Sequence, residues 1–353
     1  MSCSRETVKA SGCLSFAYPT TQQQLLVWRE RPRCVLVLKK LGDELLVDFV
    51  RVLRFLGAEQ GMRVLVEPHE YLKLVGRADL GFIDTYTPPE ATRLHQYVDF
   101  VVCLGGDGTI LHASSLFQRA IPPVISFSLG SLGFLTNHTL ATAEDDLRGV
   151  IYGCEDLDQC ALDEEMRGVH VTLRMRLECR IVRQGGGSHT GREEVYEVLN
   201  EVVVDRGANP FLTKIECWER DRLITKVQAD GVMLATPTGS TAYSVAAGGS
   251  MVHPVVPAIL FTPICPHSLS FRPVILPDYA ELELRLPADA RCPAWVCFDG
   301  KQRQELHRGD VVRVRMSTNP VPTISKTDQT ADWFTSLERC FGWNDRVEQK
   351  PLT

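Results

Sequence analysis

Residues 98–117 run from a short apolar stretch through clustered glycines into a helical pattern, and this succession constrains the fold most. Phe100, Val101 and Val102 read as a strand buried on both faces, as in a parallel sheet covered by helices. Leu104-Gly105-Gly106-Asp107-Gly108-Thr109 follows. Beyond it, Leu111, Ser115 and Leu116 recur at helical spacing. Strand, glycine turn and helix present free backbone N–H groups at the positive end of a helix. Glycines let that backbone approach a phosphate closely, because no Cβ intervenes. The loop has no Lys and is not a P-loop, which needs GxxxxGK[ST]. It carries a carboxylate instead. Beside phosphate, Asp107 would hold a metal or take a proton; as a local feature it would cap the helix. The loop residues by themselves leave both readings open.

The flanking pattern extends the same architecture. A strand at 33–38 leads into an amphipathic helix with Leu45, Leu46, Phe49, Val50, Leu53 and Leu56 on one face, ended by Gly57. Another strand is expected at 63–67. After the glycine loop and its helix, Pro122-Pro123 precedes a strand at 124–127. A second glycine turn follows, Leu129-Gly130-Ser131-Leu132-Gly133-Phe134-Leu135. Alternating strands and helices predict a doubly wound parallel sheet, with both glycine turns at the carboxyl edge where ligands bind. Residues 1–32 are polar and weakly patterned. Arg5, Lys9 and several Ser there give a faint likeness to a transit peptide, but without an Arg-rich amphipathic pattern a flexible arm is expected.

After about residue 140 the pattern changes. A connecting helix is expected at 145–151, then strands at 168–182, 196–204, 211–218, 222–227, 280–286, 294–298 and 310–316. Short strands separated by turns indicate a mainly β second domain. Residues 184–194 read as a solvated loop, and 331–337 as a terminal helix packing its aromatics. A chain of 353 residues accommodates about two such domains. The net charge of −6 gives no basic footprint, so nucleic acid is not expected as a partner. No apolar run approaches the ~18 residues that span a bilayer. Twelve Cys without a CxxC pair point to a reduced, cytoplasmic chain rather than a disulfide scaffold or zinc site.

Three further stretches carry more polar detail than a core needs. In Leu199-Asn200-Glu201-Val202 an amide and a carboxylate interrupt an apolar strand. Such a pair can bond a sugar diol or a base edge, or serve as an edge-strand Glu beside a turn Asn. Gln228-Ala229-Asp230-Gly231 reads as a hairpin or loop turn, or as a second placed carboxylate. Thr236-Pro237-Thr238-Gly239-Ser240-Thr241-Ala242-Tyr243-Ser244, running into Ala246-Ala247-Gly248-Gly249, reads as a ligand cradle. In that cradle Tyr243 would stack on a base while hydroxyls meet phosphate or ribose.

These stretches in this order resemble the NAD kinase family. The likeness extends to Gly130-Ser131-Leu132-Gly133-Phe134-Leu135, to Pro263-Ile264-Cys265-Pro266-His267-Ser268-Leu269-Ser270-Phe271-Arg272-Pro273 and to Phe298-Asp299-Gly300. The last two resemble animal cytosolic members in particular. The match covers roughly residues 30–345. The glycine motif also has relatives in phosphofructokinases and in diacylglycerol and sphingosine kinases, whereas the Thr-Pro-Thr-Gly-Ser-Thr-Ala-Tyr stretch is specific.

The resemblance implies a fold like that shared by NAD kinases and diacylglycerol kinases. Its parts would be an arm (1–32), an α/β domain (33–140), a mainly β substrate domain (141–325) and a terminal helix and tail (326–353). It implies transfer of the γ-phosphoryl group of ATP to the 2′-hydroxyl of NAD's adenosine ribose, with Mg²⁺ or another divalent metal accompanying ATP. Asp107 takes the role of general base. Gly105, Gly106, Gly108 and Thr109 lie against diphosphate, and Asn200 and Glu201 bind NAD. Asp230, Thr241, Ala242, Tyr243, Ser244 and Ala246 line the nicotinamide and adenine ends, partly from a neighbouring subunit of a homotetramer or homodimer. Ala229 departs from a Gly common before this Asp. The alternative is a lipid kinase of the diacylglycerol or sphingosine type, which would need an apolar entry that these hydroxyl-rich stretches do not offer.

Overall fold

The computed structural model describes residues 14–16, 24–130, 133–153, 168–184 and 194–345. They divide into two compact units, one made of residues 114–121 and 173–321, the other of the remaining described residues.

The second of these is an α/β unit. Its sheet places Ile83–Asp84, Arg63–Val66, Cys34–Lys39, Phe100–Leu104, Val124–Ser128 and Val321–Ile324 side by side, all parallel. Cys34–Lys39, Phe100–Leu104 and Val124–Ser128 are buried along their whole length, as two-sided burial requires. Cys34–Lys39 is the earliest of these strands in the chain, yet lies between Arg63–Val66 and Phe100–Leu104. The winding therefore reverses beside Phe100–Leu104, and ligands in open α/β sheets bind at such a switch point. The Gly105–Gly108 loop leaves the sheet at that point.

Gln24–Trp28 corrects the expected arm. Although it falls within 1–32, it pairs antiparallel with Val169–Arg174, and Leu14–Phe16 pairs with it in turn. Leu26 is fully buried, and Trp28 Nε1–H donates to the Val150 carbonyl at 2.6 Å. Four apolar residues in a row outweigh the polar composition around them. The other residues up to 23 lie outside the described residues, as do much of the loop at 184–194 and the tail from 346. The terminal helix runs over Gln329–Phe341, with the Asp328 carboxylate accepting the Thr330 and Ala331 amides at its start.

The other unit is mainly β. Its antiparallel sheet orders Glu194–Val198, Leu177–Val182, Val311–Met316, Leu282–Arg285, Thr213–Glu219, Arg222–Ala235, Glu201–Asp205, Ala294–Phe298 and Lys301–Leu306. Ala258–Pro266 pairs with Arg222–Ala235 as a branch and carries Val274–Pro277 on its far side. Leu177, Val202, Ile215, Val232 and Val312 share one buried core, and Tyr196 stacks on Phe298 at 4.0 Å. Gln228-Ala229-Asp230-Gly231 is not a turn but lies inside the long strand Arg222–Ala235. Gly231 is there for close approach: a Cβ would press on the Val204 carbonyl of the paired strand.

The expected strand at 168–182 is two strands in different sheets, Val169–Arg174 and Leu177–Val182. Arg176 sits at the change-over, fully buried. Its guanidinium donates to the carbonyls of Phe117 at 2.8 Å, Asn319 at 2.6 Å, Arg119 at 2.5 Å and Ser114 at 3.3 Å. Three of these are open carbonyls at the end of helix Asp107–Leu116 and just beyond it.

Candidate active site

In the α/β unit, Asp107 is the first residue of helix Asp107–Leu116. Its carboxylate is held by the second glycine turn. Oδ2 accepts the Phe134 amide at 3.0 Å, and Oδ1 accepts the Leu135 amide at 3.0 Å and the Thr136 hydroxyl at 3.4 Å. Thr136 Oγ1 also accepts the Gly133 amide at 2.8 Å, and Ser126 Oγ donates to the Leu135 carbonyl at 2.6 Å. The turn is thus stitched to the sheet before it holds the carboxylate. Gly133 leaves the space that this needs, since a Cβ there would fall on the Asp107 carboxylate. Gly105, at φ 145°, would likewise drive a Cβ into Thr109 Oγ1 and Lys40. Gly106 and Gly108 are exposed, whereas Thr109 is buried.

In the β unit, Asn200 and Glu201 follow the bend between Glu194–Val198 and Glu201–Asp205. Both are buried, yet Asn200 Oδ1 and Glu201 Oε2 have no hydrogen-bond partner. Buried acceptors are nearly always satisfied, so this pair is open to donors from a ligand or from water. Burial first, and the nearby Asp299 carboxylate second, push the Glu201 carboxyl up to about 7. The 236–246 stretch packs directly on this bend. The Thr236 amide donates to the Asn200 carbonyl at 2.9 Å, its hydroxyl to the Leu199 carbonyl at 2.5 Å, and a Cβ at Gly239 would collide with Asn200 backbone.

The hydroxyls of that stretch are largely spent within the fold. Ser240 Oγ exchanges bonds with Val252, Ser244 Oγ meets Thr262 Oγ1 at 3.0 Å, and Thr241 Oγ1 donates to the Thr238 carbonyl at 3.2 Å. Thr238 Oγ1 is buried and unpartnered. Tyr243 remains half-exposed, with Thr241 and Ala242 partly exposed and Ala246 exposed beside it. Asp230 is ion-paired to Arg206 at 2.7 Å. Arg206 carries no signal in the motifs, and Asp299, although part of the Phe298-Asp299-Gly300 stretch, reads in sequence only as a hairpin-turn residue before Gly300. Arg272 is exposed.

The ATP-NAD kinase N-terminal domain matches residues 35–154, and the ATP-NAD kinase C-terminal domain matches residues 199–326. The chain is 58% identical over 352 residues to NAD kinase 2, chloroplastic, of Arabidopsis thaliana, a match covering 100% of this chain and 34% of that protein. It therefore spans about a third of that relative's length. An ATP-NADH kinase of Saccharomyces cerevisiae is 45% identical over 278 residues, covering 76% of this chain and 53% of that one. The crystal structure of yeast NADH kinase complexed with NADH is 31% identical, with a TM-score of 0.81 and coverage of 97% and 96%. Both domain matches are to NAD kinases and none of these relatives is a lipid kinase, which leaves that alternative without support. A chain matched in both domains, and over nearly its whole length by a solved relative, belongs to the ATP-NAD kinase family.

Proposed function

We propose that the chain transfers the γ-phosphoryl group of ATP to the 2′-hydroxyl of the adenosine ribose of NAD, giving NADP. The observation that carries this reading is the pair of buried, unsatisfied acceptors on Asn200 and Glu201, suited to a ribose diol, in a chain of this family. A ribose hydroxyl is a weak nucleophile at neutral pH, and a positioned carboxylate that accepts its proton lowers the barrier. Asp107 takes that role: its orientation is set by Phe134 and Leu135, so little is lost in aligning it. Gly105, Gly106, Gly108 and Thr109 lie against diphosphate. Asp230, Thr241, Ala242, Tyr243, Ser244 and Ala246 line the base ends. The Thr241 and Ser244 hydroxyls are already committed, so these residues would contribute through backbone and shape.

Mg²⁺ is the proposed divalent metal, arriving with ATP. Among the described residues no group of three or more His, Cys, Asp or Glu is placed to hold a metal. Magnesium is commonly held by substrate phosphates with only one or two carboxylates, so this donor set fits an ion carried by the triphosphate. Bound there, it neutralises phosphate charge.

Assembly as a homodimer or homotetramer is supported by the edge strand Val274–Pro277. Its Val274 and Ile275 are exposed, near Leu269 at 93% and Tyr279 at 70% exposure. A cytoplasmic location is proposed from the free thiols Cys34, Cys103, Cys179, Cys217, Cys265, Cys292, Cys297 and Cys340. Among the described residues no helix is long and apolar enough to cross a membrane. Imaging a carboxyl-terminal fluorescent fusion separates cytoplasm from the chloroplast of the plant relative's name.

The deciding assay is ATP-dependent formation of NADP from NAD, and of NADPH from NADH, beside diacylglycerol. Phosphorylation of diacylglycerol without phosphorylation of either dinucleotide overturns the reading. Two variants probe its parts. Gly133→Ala should lower turnover about tenfold or more, because small displacements of a reacting group are costly. NAD affinity should stay near parental in that variant; normal turnover would show that the Asp107 carboxylate need not stay where the turn holds it. Tyr243→Ala should weaken NAD binding about 5- to 150-fold if the ring stacks on a base, since stacking contributes roughly 1–3 kcal/mol. Tyr243→Phe should keep most of the affinity, and equal losses in both variants would assign the contact to the hydroxyl.

A further inference from the structure

Strands Glu194–Val198 and Glu201–Asp205 are separated by a break at Leu199 and Asn200, and one side chain sits at the centre of the break. Asp299 opens the two-residue turn between Ala294–Phe298 and Lys301–Leu306, at φ 47°, followed by Gly300 at φ 70°. Asp-Gly suits such a turn because both positions are left-handed. Partly exposed as a residue, Asp299 turns its carboxylate inward onto three amides. Oδ2 accepts Leu199 N–H at 2.8 Å, and Oδ1 accepts Asn200 N–H at 2.7 Å and Glu201 N–H at 3.2 Å. The Asp299 amide donates back to the Glu201 carbonyl at 3.0 Å.

We propose that Asp299 is a positioning residue for the Asn200–Glu201 pair: its carboxylate gathers the amides at the strand break, and its charge acts together with burial on the Glu201 carboxyl that meets the ribose. The inference rests on the reading of that pair as the NAD-binding pair. Several groups face Glu201 from the elements packed on it. Asp299 lies in the turn, Tyr243 on the 236–246 stretch contributes an amide, and Cys297 lies on Ala294–Phe298. Burial pushes the Tyr243 phenol and the Cys297 thiol upward, so both are neutral near pH 7. Beyond Cys297, Arg303 and Asp205 are paired with each other at 3.0 Å. Asp299 is thus the charge that bears most on Glu201.

Like charges disfavour ionising both carboxyls, so the titrations of Asp299 and Glu201 are coupled. Burial pushes both upward, but three amide donors favour the charged form of Asp299, whereas Glu201 keeps one unpartnered oxygen. Of the two, Glu201 is therefore the one that holds a proton. As pH rises through about 7 that proton leaves, and the resulting carboxylate can accept from both ribose hydroxyls. NAD should bind more tightly above the transition, and binding near it should release a proton.

Calorimetric titration with NAD alone, without ATP, at pH 6 to 8 in buffers of different ionisation enthalpy reads both effects. The parent should gain at least about fivefold in affinity across this range, and Glu201→Gln should lose the pH dependence. Asp299→Asn keeps the size of the side chain without its charge. Asp299→Gly removes the carboxylate while suiting the left-handed turn, so it carries the test should the Asn variant fail to fold. Either should weaken NAD about tenfold at pH 8 and move the midpoint to lower pH. Gly300→Ala strains the same turn but keeps the carboxylate; it should lower the melting temperature and leave the midpoint in place. A folded Asp299→Gly protein with parental affinity and midpoint overturns the inference while the functional reading stands. A parent that binds no NAD removes both.

Discussion

Asp107→Asn should lower turnover by about 10² or more, with a much smaller change in NAD affinity. The loss follows from chemistry: the amide cannot accept the proton of the ribose hydroxyl, and losing an acid–base group costs in this range. Affinity survives better because the amide can still hydrogen-bond a hydroxyl. The structure changes the stability that goes with this variant. An Asn that caps its own helix would replace Asp at little cost. Here the carboxylate instead accepts two amides, one on each oxygen, from the second glycine turn. An Asn side chain has one acceptor oxygen, so its NH₂ must face the Phe134 or the Leu135 amide. About 1–3 kcal/mol should be lost through that unsatisfied donor. Asp107→Ala should cost a similar amount or more, with both amides freed. Melting temperature, NAD affinity and kcat measured on both variants separate chemistry from support. A folded Asn variant with near-parental kcat would remove Asp107 from the mechanism.

The contrast between those two stabilities shows what local pattern can carry. The strands Cys34–Lys39 and Phe100–Leu104 are legible because burial on both faces forces an unbroken apolar run. The glycine loop is legible because its spacing and its place after such a strand are both local. What Asp107 touches is not local: Phe134 and Leu135 come from a later loop. The same holds for hydroxyls of the 236–246 stretch. A run of Thr and Ser looks ligand-facing in sequence, yet Thr236, Ser240 and Ser244 satisfy backbone and side-chain groups within the fold. Gly231 misleads in the opposite sense, reading as a turn when it marks a close approach between paired strands. Asp299 lies about a hundred residues from the amides it gathers, which is why its motif gives a turn and no role.

Arg176→Ala should destabilise the β unit by about 3–5 kcal/mol, the range for removing one partner of a buried ion pair. Glu197, itself buried, lies 3.6 Å from the guanidinium and would lose its counter-charge, keeping only hydrogen bonds from the Ser317 and Asn319 side chains. The four carbonyls that Arg176 serves would lose their donors as well. A total stability of about 5–15 kcal/mol makes this a large fraction. Urea unfolding followed by intrinsic Trp fluorescence measures it. Burial already holds the Glu197 carboxyl above its ordinary range, and Arg176 is the chief influence drawing it down. Without Arg176 the folded form binds that proton more tightly than the unfolded chain, so stability falls as pH rises. The penalty should therefore be smaller at pH 5 than at pH 8. A second variant assigns the cause. Arg176→Met with Glu197→Met replaces the ion pair by apolar groups, a change often neutral where the pair acts alone. Here the double variant should recover less than half of the loss, because the carbonyls of Phe117, Arg119 and Asn319 remain without their donor. Near-complete recovery would mean that the charge pair matters and the capping of those carbonyls does not.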